Sequence, residues 1–216
     1  MFALYLGVIG LLAFILTVAL AGLWLNEHPS KIYAEKSSRI VQLLFFIGLG
    51  VPFVVAFFSP GLKHLDELVG LKPLPIQPFF LVLGILLAIP GVYLMGASNV
   101  SLRTLGSGAN AFKLTQHVVE KDIYQFTRNP MSLGYYLIGL AIAFISGSTL
   151  LTLYVVLGII PAHLLAIKFF EEMELELRFG ESYRQYKRSV PFLFPKLPAR
   201  RMENEESRSR PRSPER

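Results

Sequence analysis

The chain has 216 residues, of which 53% are hydrophobic and 17% charged, and its mean hydropathy is +0.50. Soluble domains carry about 25% charged residues, so the composition excludes a water-soluble globular protein, a disordered chain and a nucleic-acid-binding module; the net charge of +6 gathers in a tail with six arginines between Arg200 and Arg216. Cysteine is absent, and His28, His64, His117 and His163 show no metal-ligand spacing, which excludes disulfides, thiolate chemistry and a HExxH metal site.

Residues 2–25 are uncharged and about 20 apolar residues span a bilayer core, so they read as a retained transmembrane helix. No basic residue precedes this stretch, as a signal peptide would require. Further apolar runs cover about 40–60, 76–98, 133–145 and 150–167. Pro52 and Pro90 lie inside two of them, where neighbouring helices satisfy the freed carbonyls. The last two runs are joined only by Ser146-Gly147-Ser148-Thr149, which predicts a tight antiparallel hairpin. Gly139, Ala143 and Gly147 form a small-residue stripe suited to close helix contact. The reading is an all-α, five-span membrane protein.

Five spans divide the connections between two sides. Lysines and arginines number 19 across 26–39, 99–131 and the segment from Lys168 onward, against 2 in 61–75. The positive-inside rule places the first group in the cytoplasm and the N-terminus outside. The domain expectation is a three-helix membrane region over 1–98, a core of loop, hairpin and helical lid over 99–196, and a disordered Arg/Ser/Glu tail over 197–216.

Three clusters carry chemistry. At Tyr124–Tyr135, Asn129 is a good N-cap and Pro130 suits the first helical position, so this is a helix start. Its free N–H groups and Arg128 favour an anion, although a capped helix with a snorkelling arginine accounts for the same residues. At the end of the fifth run, Lys168–Glu172 and Glu174–Arg178 are i,i+4 pairs. Glu171 lacks such a partner and falls on the face of Ile167 and His163, where a carboxylate suits a ligand with a cationic part. Over 178–191, Phe179, Tyr183 and Tyr186 make an apolar stripe, read as a lid packed on the membrane region. An intramembrane histidine such as His163 is a site candidate, though one hydrogen bond to a neighbour also explains it. Gly106-Ser107-Gly108 is a lone GxG without a preceding strand and reads as a loop.

In this order the clusters resemble the isoprenylcysteine carboxyl methyltransferase and phospholipid methyltransferase superfamily, over roughly 110–195. The motifs are Tyr124, Arg128-Asn129-Pro130, Gly134, Glu171-Glu172, Phe179-Gly180, Tyr183, Tyr186 and Val190-Pro191. The resemblance implies S-adenosylmethionine as cofactor, with contacts at Gln116, His117, Val118, Val119, Tyr124, Arg128, Asn129, Pro130, Met131, Ser132 and Glu171. The helix start and Arg128 would hold the carboxylate, Glu171 the ammonium or ribose hydroxyls, and Tyr124 would face the sulfonium. His163, Ile167 and Lys168 are expected beside the acceptor. Three positions depart from the family. Ser132 stands in place of tyrosine, and Asp122-Ile123 in place of Gly-(Pro/Val). Ile167 occupies the place of an arginine that binds a substrate carboxylate in the prenylcysteine enzymes. The acceptor stays open among a prenylcysteine-like carboxylate, a thiol, an amine or another lipophilic group entering from the bilayer. The expected partners are a lipophilic small-molecule or lipidated substrate and membrane lipids, with no nucleic acid and no metal. The rival readings are an NADPH-dependent membrane reductase related to sterol reductases and a catalytically inactive membrane scaffold.

Overall fold

A computed structural model describes residues 1–107 and 114–195. The tail at 197–216 and Gly108 therefore lie outside the described residues. Among the described residues every regular element is a helix. Four are long and apolar enough to cross a bilayer: α1 (Phe2–Glu27), α2 (Lys31–Phe58), α3 (Gln77–Thr104) and α5 (Thr149–Phe179). Between the last two lies α4 (Pro130–Ser146), apolar but only 17 residues long. At 1.5 Å per residue it reaches about 25 Å, near the lower limit for a span. A short α6 (Glu181–Ser189) follows the break at Gly180, where φ is 60°. Leu12, Leu16, Ile89 and Val92 are exposed on the outer faces of α1 and α3, as lipid-facing side chains are.

The long helices extend beyond the apolar runs that announce them. α2 begins at Lys31, capped by the Ser30 hydroxyl accepting from the Tyr33 N–H, and α5 continues through its glutamates to Phe179. Two π turns precede prolines, Phe46–Gly50 before Pro52 and Tyr154–Ile159 before Pro161. A proline ring clashes with the carbonyl four residues back, and a widened turn relieves that clash. A third π turn, Ile167–Glu171, sits where the cavity begins.

Two helix pairs meet backbone to backbone: α1 and α2 at Gly10 and Gly48, and α3 and α4 at several glycines. A Cβ on Gly134 would lie 2.8 Å from the Gly91 carbonyl oxygen, and one on Gly84 would lie 2.9 Å from that of Ala141. The stripe expected at Gly139, Ala143 and Gly147 does not make this contact. A Cβ on Gly139 would meet Val155 at an ordinary 3.4 Å, and Gly147 is the αL cap of α4 with φ 71°. The short hairpin turn leaves α5 at normal side-chain distance, while α3 lies backbone to backbone against the other face.

The connections segregate by end. The 61–75 segment meets the α4–α5 turn, where buried Asp66 accepts from Ser148 Oγ (3.1 Å), Thr149 N (3.0 Å) and Leu150 N (2.6 Å). It caps the first turn of α5 from outside the hairpin. At the opposite end Arg178 ties α5 to Glu35 of α2 (4.0 Å) and to the Thr115 carbonyl.

Candidate active site

The second end of the bundle encloses a cavity of about 550 Å³. α2 supplies Gln42 and Phe45, α3 supplies Asn99, the 114–132 segment supplies one wall, and α5 and α6 close the others. Its walls are mainly apolar with a few polar groups, as in small-molecule sites.

The wall at 114–132 is shaped by one strained residue. Asp122 has φ 54°, in the left-handed region that favours glycine, and its Oδ2 accepts from Ser101 Oγ at 3.2 Å. A short polar side chain, here held by the Ser101 hydroxyl, tolerates that conformation. The turn that follows, Asp122–Gln125, turns buried Tyr124 into the cavity. Burial, and then the nearby Glu171 carboxylate, pushes the Tyr124 hydroxyl above its ordinary pKa.

Asn129 precedes α4 but does not cap it with its side chain. Its Nδ2 instead donates to the Phe192 carbonyl at 2.8 Å. Thr127 Oγ1 donates to the Leu193 carbonyl (2.8 Å), and the Arg128 N–H donates to that of Pro191 (2.9 Å). The extended segment after α6 is thus fastened along 127–129. The N–H groups of Met131 and Ser132 accordingly keep no carbonyl partner among the described residues. Such a helix start attracts an anion.

Arg128 is committed to Glu172 at 3.2 Å, and both side chains are buried. Glu172 also receives Lys168 (2.8 Å) and Lys187 (2.7 Å). The hydrogen bond to Glu172 is the first reason that the Lys187 ammonium titrates above its ordinary value. Arg178 pairs with buried Glu174 at 2.8 Å. Glu171 differs from these carboxylates. It has no hydrogen bond or ion pair among the described residues, and protein encloses it, yet it presents open surface. That surface is the cavity wall.

Several predicted site residues therefore converge on one space. His117, Val118, Val119, Tyr124, Arg128, Asn129, Met131, Ser132, His163 and Glu171 line the cavity. Gln116, Pro130, Ile167 and Lys168 do not. Gln116 is exposed and donates to the Leu114 carbonyl (3.1 Å), while Pro130 is buried at the helix start. The π turn Ile167–Glu171 inserts one residue into the helix face. Ala166 and Phe170 take the cavity side, and Ile167 packs into the core, 1% exposed. Lys168 points away, onto Glu172 and the Phe192 ring, 3.8 Å from its centroid. Sequence reasoning missed the contributions of α2 and α3. Gln42 within an apolar run and Asn99 at the end of another are the polar residues that could have indicated them.

The comparisons with known proteins fall on the same elements. The family model for phospholipid methyltransferases matches residues 79–182. This segment belongs to the isoprenylcysteine carboxyl methyltransferase and phospholipid methyltransferase superfamily. Methanethiol S-methyltransferase 2 of Bradyrhizobium diazoefficiens is 36% identical over 90 residues, which cover 41% of this chain and 33% of that relative. The chain thus matches about a third of that relative's length. No solved structure matches the chain. The apolar helices together with this methyltransferase-family segment make the chain an integral membrane protein.

Proposed function

We propose that the chain is a membrane methyltransferase that uses S-adenosylmethionine and acts on a small, uncharged lipophilic thiol. The observation that carries the reading is Glu171, a carboxylate without a partner among the described residues, lining the same cavity as an open helix start. The residues fit this cofactor by charge. Glu171 suits its ammonium or ribose hydroxyls, the Met131 and Ser132 N–H groups its carboxylate, and Tyr124 its sulfonium. Arg128 plays a smaller part than the sequence suggested, because Glu172 already neutralises it. Bound there, S-adenosylmethionine supplies a methyl group activated by its sulfonium. The protein's contribution is positioning and exclusion of water.

The acceptor class follows from what the cavity offers. Arg128 and Arg178 are both ion-paired, and Ile167 provides no cation. A carboxylate acceptor would lack a counter-charge. The aromatic and aliphatic walls suit a neutral thiol, and the similarity to a methanethiol S-methyltransferase supports that choice. A reductase using NADPH would need free basic groups for its phosphates, which these paired arginines do not supply. The 178–191 segment acts as the lid, with Tyr183 and Tyr186 on the cavity wall. α4 serves as the fifth span, and the cavity end faces the cytoplasm, in keeping with the distribution of lysine and arginine.

Isothermal titration of the detergent-purified protein with S-adenosylhomocysteine tests this reading. The wild type is expected to bind with micromolar affinity, and Glu171→Gln to weaken binding at least tenfold, about 1.4 kcal/mol. No binding by folded wild-type protein would overturn it and leave the scaffold.

A further inference from the structure

Beyond the cofactor end, the cavity contains a histidine that the proposed binding does not use. His163 lies on α5 eight residues before Glu171, about 12 Å away by helix rise. Its Nδ1 shares a hydrogen bond with the Tyr136 hydroxyl at 3.0 Å. Tyr136 is buried behind it on α4, 4% exposed, and does not line the cavity. Nε2 has no hydrogen-bond partner among the described residues. Phe45 of α2 packs on the ring at 4.7 Å between centroids, and Tyr135 lies at 6.0 Å. The titratable groups facing it are Tyr135 and Tyr136 from α4 and, farther along its own helix, Glu171. From α1 and α2 the cavity wall takes only uncharged side chains, and both arginines on the wall are ion-paired.

We propose, resting on the thiol-methyltransferase reading, that His163 is the catalytic base that takes the acceptor's proton, with Tyr136 as its positioning residue. A neutral thiol is a poor nucleophile, and the thiolate is the reactive form. An apolar pocket opposes ionisation unless the proton has somewhere to go. In the step, the S–H bond breaks and the proton passes to His163 Nε2. The electron pair left on sulfur forms the new S–CH₃ bond. The methyl group leaves its sulfonium, and that bonding pair stays on the donor sulfur. The products are a neutral thioether, a neutral demethylated donor and an imidazolium that returns its proton to water. Once Nε2 is protonated, both ring nitrogens carry hydrogen, so Nδ1–H can only donate, and the Tyr136 oxygen is placed to accept. The step uses the tautomer with its hydrogen on Nδ1, donated to the Tyr136 oxygen, so that Nε2 carries the free lone pair; Tyr136 holds that tautomer and favours proton capture. The expected acceptor is a thiol that is protonated at neutral pH.

The test uses the whole chain in detergent, with wild type, His163→Gln and Tyr136→Phe, and with ethanethiol and 4-nitrothiophenol as probes. Without donor, 4-nitrothiophenol is added below its own pKa, and its coloured thiolate is read by absorbance. Wild type is expected to produce the thiolate band and His163→Gln to lack it. With donor, His163→Gln is expected to lower ethanethiol kcat at pH 7 by about 10²- to 10⁴-fold. Its rate should then rise tenfold per pH unit until the thiol itself ionises, and it should be rescued by 4-nitrothiophenol supplied as thiolate. Tyr136→Phe is expected to move the acid limb of the wild-type profile to lower pH. Both variants should keep S-adenosylhomocysteine affinity within about twofold, because neither touches the Glu171 end. Equal losses for both thiols, or no loss, with cofactor binding intact would overturn the role of His163 alone. Failure of the wild type to bind S-adenosylhomocysteine would instead overturn the methyltransferase reading and this role with it.

Discussion

Glu172 binds three cations from three parts of the chain: Arg128 before α4, Lys168 on its own helix and Lys187 on α6. Lys168 and Lys187 are partly exposed and contribute little as ion pairs. Arg128 is different, because its side chain is 8% exposed and would become an unpaired buried charge. Glu172→Ala is therefore expected to cost about 3 kcal/mol and to lower the thermal unfolding midpoint in detergent. Glu181→Ala removes pairs between groups that are half or more exposed, and should change it by under about 0.5 kcal/mol. The neighbouring glutamates 171 and 172 thus differ in kind, although they are adjacent in sequence. The sequence made this distinction legible, since Lys168–Glu172 is an i,i+4 pair and Glu171 has no such partner. It could not reveal that Arg128 spends its charge on Glu172 and not on a ligand. That pairing spans 44 residues and depends on how α4 and α5 meet.

At the scale of elements, helix register decides which residues reach the cavity. Between His163 and Glu171 helical spacing puts Ala166, Ile167 and Phe170 near one face. Of these the cavity takes Ala166 and Phe170, and Ile167, at the start of a π turn, packs into the core. Periodicity assumes a uniform turn, so a widened one is invisible to it. The α3–α4 contact has a similar origin. Gly84, Gly91 and Gly134 are scattered through two apolar runs, and only the pairing of those runs makes them a set. Gly91→Leu would drive a side chain into Ile138 Cγ1, which lies 2.8 Å from the position of a Cβ, and toward the Gly134 carbonyl oxygen. It is expected to lose about 1–3 kcal/mol by overpacking. It should also displace Met131 and Ser132 on α4, measurable as weaker S-adenosylhomocysteine binding. Gly96→Ala, with open space around its Cβ, is the control expected to leave both unchanged.

For the whole molecule, the C-terminal segment joins elements far apart in the chain. The Tyr186 hydroxyl donates to the Tyr124 carbonyl at 2.8 Å, and 191–193 is fastened along 127–129. Burial first of all raises the pKa values of Tyr124, Tyr183 and Tyr186. Lys187 is raised too, through Glu172. Raised values mean that the folded form holds more protons than the unfolded one above the ordinary pKa near 10. Their contribution is complete below about pH 10 and is lost as pH rises through the folded values, so stability falls with alkali. Alkaline titration should accordingly show a cooperative rise in tyrosinate absorbance coinciding with release of the segment. Gradual ionisation centred near pH 10, with the segment still docked, would contradict this.

The sequence by itself determined that the protein is helical and built for a bilayer, because hydrophobic length and charge asymmetry are local properties that no packing can reverse. It also marked the helix start at Asn129-Pro130, which follows from neighbours within one turn, and Glu171 as a carboxylate without an i,i+4 partner. Tertiary structure alone decided the remainder: the shared cavity of α2, α3 and α5, the Tyr136 hydroxyl behind His163, the Asp66 cap of α5 and the commitment of Arg128 to Glu172. Each of these joins residues tens of positions apart. Which polar group meets which is set by helix pairing and by the widened turns within the helices, and neither is encoded in any single window of sequence.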